Sequence, residues 1–338
     1  MSDSYLEDVR KNSEERFGNI RSELVEARNL LGKMGCVYAT GSFGRMEAGP
    51  SSDLDLFVVV KSFKRDEKSD EPPKFRLKET KQILLKRELI IVVEKSGIPD
   101  FDGGGKFLQT HAFDSYTRYL GSQEDDYRNT LTGRMLLLLE SKPLVSDKVY
   151  NELVSSVVAE YFKDYKGKEH CFLPAFLIND IVRMWRTFCV NYEFYRRDEK
   201  RDKVKNLKLK FSRMLTCYSS ILSLLSDYSL DGAVSPEKVI DLTKITPTQR
   251  IENLADRYRE NGERGKRIGR LLGEALGDYS EFLELVHGND GEPEKVLVEE
   301  EERWRKRSYE FGEKLARVMS EIAGDNPLNN DLYRMVLI

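Results

Sequence analysis

The chain has 338 residues, 55 Lys and Arg against 58 Asp and Glu, a formal net charge of −3 and 40% hydrophobic residues. These values exclude an intrinsically disordered chain and a generally basic, sequence-blind nucleic-acid binder. No apolar run approaches the about 18 residues of a membrane-spanning helix, and the opening "MSDSYLEDVRKNSEERFG" has mixed charges and no apolar block, so it does not read as a signal peptide.

Residues 3–32 are predicted to form one amphipathic helix, because Phe17, Ile20, Leu24, Ala27 and Leu31 recur at three- and four-residue spacings. "CVYATGS" at 36–42 reads as a short apolar strand entering a turn. The loop "FGRMEAGPSS" follows, and "DLDLFVVV" has the β-branched character of a buried strand. The charged, proline-bearing stretch 61–74 reads as an exposed loop, and 75–95 as a helix whose "LIIVV" end is also compatible with a strand. "GIPDFDGGGKF" reads as a strand end and turn. Beyond it the pattern is helical, over 112–120, 125–141, 147–163, 176–195, 207–226, 247–260, 265–287 and 296–323. Two strands near the front and a long helical remainder predict a mixed α+β domain over 1–145 and an all-α domain over 146–338.

Cys36, Cys171, Cys189 and Cys217 are scattered in apolar settings without paired zinc spacing, and read as reduced, buried thiols of a cytoplasmic protein. His111, His170 and His287 are the only histidines and lie far apart, which argues against a histidine-rich metal site. In the helical half, Asp180, Arg183, Thr187 and Asn191 form a polar stripe beside apolar Ile181, Trp185, Phe188 and Tyr192. Two readings stay open there: a buried helix with internal salt bridges, or Arg183 and Arg186 directed at a nucleotide or acceptor. Residues 196–213 hold nine Lys and Arg against three acids, which suits either a solvated surface or a phosphate-facing patch. Lys208 is the candidate phosphate contact from this run. "EEEERWRKR" at 299–307 predicts an exposed helix with Glu299–Arg303 and Glu301–Arg305 pairs.

The stretch "TGSFGRMEAGPSSDLDLFVVV" at 40–60 carries the chemistry. Residues i and i+2 of a strand share a face, so Asp53 and Asp55 present two carboxylates together while Leu54 and Leu56 face the core. Adjacent carboxylates repel unless a cation sits between them. Mg²⁺ suits such a site, because it binds one or two carboxylates together with substrate phosphates, and two such ions clamp a phosphoryl displacement. Gly41 lets the backbone approach a phosphate, Ser42 adds a hydroxyl, and a helix starting at "FGRME" would add free N–H groups.

Gly41-Ser42, ten intervening residues and then Asp53-Leu54-Asp55-Leu56 resembles the signature of the DNA polymerase β-like nucleotidyltransferase superfamily. The longer "GSFGRME…SSDLDLF" looks closest to the bacterial branch of protein-PII uridylyltransferases and glutamine synthetase adenylyltransferases, in which an Arg-x-Glu follows the glycine turn. Arg45 and Glu47 stand at those positions, where either phosphate contact by Arg45 or a structural pair supporting the loop fits. Residues 134–147 also resemble the helix that follows the catalytic sheet in these proteins. The resemblance implies a nucleotidyltransferase domain with a small mixed sheet, followed by a helical substrate-binding domain. It further implies a third carboxylate from a later strand, binding metal and taking the acceptor proton. Asp102 is favoured for that role, with Asp100 beside it and Glu140 as a remote option.

The function expected on this basis is transfer of NMP from an NTP to a hydroxyl acceptor, most naturally on a protein, with release of pyrophosphate. Asp53, Asp55 and Asp102 would hold two Mg²⁺ ions, and Gly41, Ser42, Arg45 and Lys208 would bind the nucleotide. Nucleic acid is a less favoured acceptor, and no membrane partner is expected. The alternatives are a signalling-nucleotide synthase and a non-catalytic nucleotide sensor or interaction module.

Overall fold

The computed structural model describes residues 4–63, 73–98, 108–195, 199–288 and 300–337. Two compact units divide the chain: Val9–Glu160 in one, and Tyr161 onward with the first residues of the N-terminal helix in the other.

The first unit is built on a four-stranded sheet of order β3-β2-β1-β4, with β1 Gly35–Ala39, β2 Leu56–Val60, β3 Thr110–Ala112 and β4 Lys142–Val145. β1 runs antiparallel to β2, from Gly35↔Val60 to Ala39↔Leu56, and antiparallel to β4. β2 and β3 are parallel, so their connection must cross over the sheet, and helix α4 (Glu79–Lys95) lies on that connection. β1 and β2 are buried at every position, which is why they read as continuous apolar runs rather than alternating ones. One face, with Val37, Ala39, Leu56, Val58 and Val60, joins the core cluster of Leu85, Leu89, Val92 and Val93 from α4. Helices α1 (Ser4–Glu23) and α2 (Val25–Leu31) add Phe17, Ile20, Ala27 and Leu31 to it. On the other face Tyr38 stacks on Phe57 with ring centroids 5.3 Å apart, and the Tyr38 and Tyr116 hydroxyls are 2.8 Å apart.

Several predicted elements are divided differently. The expected helix over 3–32 breaks at Leu24, whose ψ of 35° leaves the helical range, yet its apolar stripe stays buried throughout. The 75–95 segment is helix to Lys95, including "LIIVV". Instead of a helix over 112–120, β3 is followed by the single turn α5 (Ser115–Arg118). Instead of one helix over 125–141 there are α6 (Gln123–Tyr127) and α7 (Thr130–Leu139), separated by Asn129 at a left-handed φ of 56°. The stretch 134–147 is therefore not one helix. It leaves α7 and enters β4, where Pro143 is tolerated because β4 is an edge strand. Helix α8 (Asp147–Tyr161) follows.

The second unit is helical among the described residues. α9 (Ala175–Tyr195) precedes α10 (Glu199–Lys208), which runs through a π-helical turn, Leu209–Arg213, into α11 (Met214–Asp231). α12 (Pro236–Lys244) and α13 (Pro247–Tyr258) each open on a capped X-Pro step: Ser235 accepts from the Lys238 amide, and Thr246 forms a capping box with Gln249. α14 (Gly262–His287), α15 (Glu301–Ala323) and α16 (Asp331–Leu337) complete the unit. Its core is aromatic. Phe211, in the π turn, stacks on Phe282 at 4.7 Å and packs at 4.9 Å from Phe311.

Two expectations about this half need correction. Cys171 is an exposed thiol and Cys189 is only half-buried, whereas Cys36 and Cys217 are buried as expected. Glu299 lies outside the described residues; Arg303 pairs with Glu300 and Arg305 with Glu302, both at i, i+3, while Glu301 meets Lys203 of α10 at 2.7 Å instead of Arg305. Trp304, between these charged residues, is buried. On α9, Asp180 is buried, accepts from the Tyr161 hydroxyl at 2.5 Å and lies 3.5 Å from Arg183.

Candidate functional site

Just past β1, Thr40 is still extended at φ −127° and ψ −167°, and the chain then reverses at Gly41 with φ +64°. That left-handed conformation is strained for any residue with a Cβ. A Cβ on Gly41 would also stand 2.6 Å from Asp55 Oδ2 and would have to push that carboxylate aside. Gly41–Gly44 forms a single helical turn, α3, in which the Gly44 and Arg45 amides donate to the Thr40 and Gly41 carbonyls. The β1–β2 ladder continues one step past the strands, with the Thr40 amide donating to the Asp55 carbonyl at 2.9 Å.

The two aspartates lie just before β2. Leu54 and Leu56 are buried at 2% and 0% exposure, while Asp53 and Asp55 are half-exposed. The period of two thus turns both carboxylates away from the core. Asp55 lies against the Gly41 turn. Half-exposed carboxylate oxygens beside a backbone turn are hard donors and suit Mg²⁺, which completes its shell from water and substrate phosphates rather than from a closed protein cage. Among the described residues, no group of three or more His, Cys, Asp or Glu is placed to hold a metal.

Beneath the turn lies a buried ionic cluster. Arg45 donates from Nε to Glu47 Oε2 at 2.8 Å and from Nη1 to Glu140 Oε2 at 2.9 Å. Arg45, Glu47 and Glu140 are 7%, 3% and 2% exposed, so this is an interior network and not a surface pair. Glu140 Oε1 accepts from the Gly41 amide at 3.3 Å. The loop beyond is tied to α1. The Ala48 amide donates to Ser13 Oγ at 3.1 Å, Arg16 donates to the Ala48 and Gly49 carbonyls, and its guanidinium lies 5.2 Å from the Phe43 ring centre.

The structure therefore brings Gly41, Ser42, Arg45, Asp53, Asp55 and Glu140 into one neighbourhood of the first unit. Asp100 and Asp102 lie outside the described residues. Lys208 is an exposed residue at the end of α10, in the helical unit. Ser13, Arg16 and the link from Glu140 to Gly41 had no signal in the sequence, because these partners stand far from the turn along the chain. At the other end of β2, Lys61, Arg76 and Lys148 line an open groove with Ser62, Asp114 and Glu152, and Lys61 pairs with Glu152 at 2.6 Å.

Residues 21–103 match the family model of the nucleotidyltransferase domain. No curated protein and no solved structure matches the chain. The matched segment carries β1, the Gly41 turn, both aspartates, β2 and α4, and extends over Asp100 and Asp102. β3, β4 and Glu140 follow it. The first unit is thus a nucleotidyltransferase domain with a small mixed sheet, and a mostly helical region follows. Among the described residues, no helix is long and apolar enough to cross a membrane.

Proposed function

We propose that the chain transfers NMP from an NTP to a hydroxyl acceptor and releases pyrophosphate. The acceptor oxygen forms a bond to the α-phosphorus, and the bond from that phosphorus to the bridging oxygen breaks. Pyrophosphate leaves with the electron pair, and the hydroxyl proton passes to a carboxylate, for which the resemblance favours Asp102. The observation that carries this reading is the Asp55 carboxylate against the positive-φ turn at Gly41. It sets acid and backbone donors together at one end of the two central strands.

In this reading Gly41 and Ser42 seat the triphosphate, and Asp53 and Asp55 hold Mg²⁺. Bound there, Mg²⁺ supplies charge neutralisation for the phosphates and the developing pyrophosphate. Lys208 is the proposed contribution of the helical region. A protein hydroxyl is the preferred acceptor, on the likeness of "GSFGRME…SSDLDLF" to the enzymes that modify regulatory proteins. The protein is taken to act in the cytoplasm.

The test is incubation with each α-phosphate-labelled NTP, Mg²⁺ and cell lysate, followed by separation of labelled protein, RNA and small products. Label should enter protein with one NTP and should vanish with Asp53→Asn/Asp55→Asn, which relieves carboxylate repulsion and so keeps the fold. Label in RNA or in a small product would change the acceptor. Transfer by the folded double variant would remove the catalytic assignment, and nucleotide binding without transfer to any acceptor would identify a sensor.

A further inference from the structure

Glu140 lies 99 residues from Gly41 in sequence, beyond the matched segment, yet meets the turn in three ways. Its Oε1 accepts from the Gly41 amide at 3.3 Å, and its Oε2 from Arg45 Nη1 at 2.9 Å. Its backbone also presses on α3: a Cβ on Gly44 would stand 2.0 Å from the Glu140 carbonyl oxygen. The sheet explains the meeting. β4 pairs with β1 at Lys142↔Ala39, and continuing that antiparallel register by two residues sets Glu140 opposite Gly41. The end of α7 thus delivers a carboxylate to the first amide of the turn.

We propose that Glu140 is a positioning residue, which acts through the Gly41 amide and the Arg45 guanidinium to hold α3 in its phosphate-seating shape. This rests on the reading of Gly41 and Ser42 as the seat of the triphosphate. Both Glu140 oxygens are engaged by donors of the turn segment, in an almost fully buried cluster of one cation and two carboxylates. Those contacts fit a clamp better than a metal ligand, whose oxygens must face the ion. Arg45 belongs to the same clamp. Its Nε and Nη1 grip residues from both ends of the arrangement, Glu47 just past α3 and Glu140 before β4.

Two measurements on the full chain separate the possibilities: amide hydrogen exchange of residues 40–47, and calorimetric binding of Mg²⁺-tripolyphosphate, a probe that needs no base. Glu140→Ala should speed exchange across the turn and weaken tripolyphosphate about tenfold, the scale of one charge-assisted hydrogen bond. Glu140→Gln keeps one acceptor oxygen but turns an NH2 toward the other donor, so it should fall between wild type and Glu140→Ala in both measurements. Arg45→Lys reaches one carboxylate only and should also fall between wild type and Glu140→Ala, so a poorly folding Glu140→Ala leaves the proposal testable. Unchanged exchange in Glu140→Ala and Arg45→Lys overturns it. Faster exchange with unchanged tripolyphosphate affinity also overturns it. So does a Glu140→Gln defect as large as that of alanine and recovered by raised Mg²⁺, which would make Glu140 a metal ligand. If wild type binds neither tripolyphosphate nor any NTP, the phosphate seat falls, and exchange alone reports whether Glu140 holds the turn.

Discussion

At the residue scale, Gly41 is the position with the least freedom. Its φ of +64° favours glycine, and a Cβ there would stand 2.6 Å from Asp55 Oδ2, so any larger residue must displace that carboxylate. Gly41→Val should therefore strain the turn by about 1–3 kcal/mol and push the Asp55 carboxylate aside. The expected result is at least a tenfold loss of NTP affinity by calorimetry (about 1.4 kcal/mol or more), and wild-type affinity would show that phosphates sit elsewhere. His111 supplies a pH dependence. It lies on β3 with the Phe57 ring 5.4 Å away and the Tyr116 ring 6.3 Å away, and burial lowers its pKa to about 4. The unfolded chain takes up this proton near pH 6.5, and the folded chain only near 4. Stability present above pH 6.5 is thus lost as pH falls from 6.5 toward 4, on the order of 2 kcal/mol after allowance for partial exposure. Urea midpoints at pH 5 and pH 7 should differ in wild type and converge in His111→Phe.

At the element scale, the helices that follow β3 are held by one buried pair. Arg134 of α7 donates from Nη1 and Nη2 to Asp125 of α6 at 2.9 and 2.7 Å, and both side chains are fully buried. Thr130 adds a hydroxyl to Asp125 at 2.6 Å, and Arg134 also reaches the Tyr116 carbonyl. Arg134→Met leaves Asp125 buried without its cation, which should cost about 3–5 kcal/mol. Chemical denaturation of the variant should show a loss of that size, and a loss below about 1 kcal/mol would mean that the site relaxes to admit water. This pair also explains why 125–141 is not one helix. Asn129 turns left-handed between α6 and α7, and the ionic pair ties the two pieces together across that break. The break lowers the reach of α7 by only a few residues, yet it is followed by Glu140 at the clamp and by β4.

At the scale of the whole molecule, each unit has its own core: the sheet with α1, α2 and α4 in one, and the aromatic cluster around Phe211 in the other. Phe211 is fully buried in the π turn, where an extra residue in the helical repeat brings its ring over Phe282. Phe211→Ala should cost about 3–5 kcal/mol of stability in the helical unit. Thermal unfolding should register the loss, and an unchanged transition would show that the cluster closes over the cavity.

What the sequence by itself determined is local. The period of two at Asp53–Leu56, the glycine turn at a fixed distance before it and the stripe from Phe17 to Leu31 depend on neighbours within a few residues, and all three are seen in the structure. The capped X-Pro starts of α12 and α13 are of the same kind, although periodicity alone passed over α12. Tertiary structure decided the rest. "KPLV" is a strand because β1 offers an open edge, and four residues of mixed polarity carry no pattern that says so. Glu140 meets Gly41 because antiparallel pairing of β4 on β1 brings together backbone groups that are distant in sequence, and no local spacing encodes that partner.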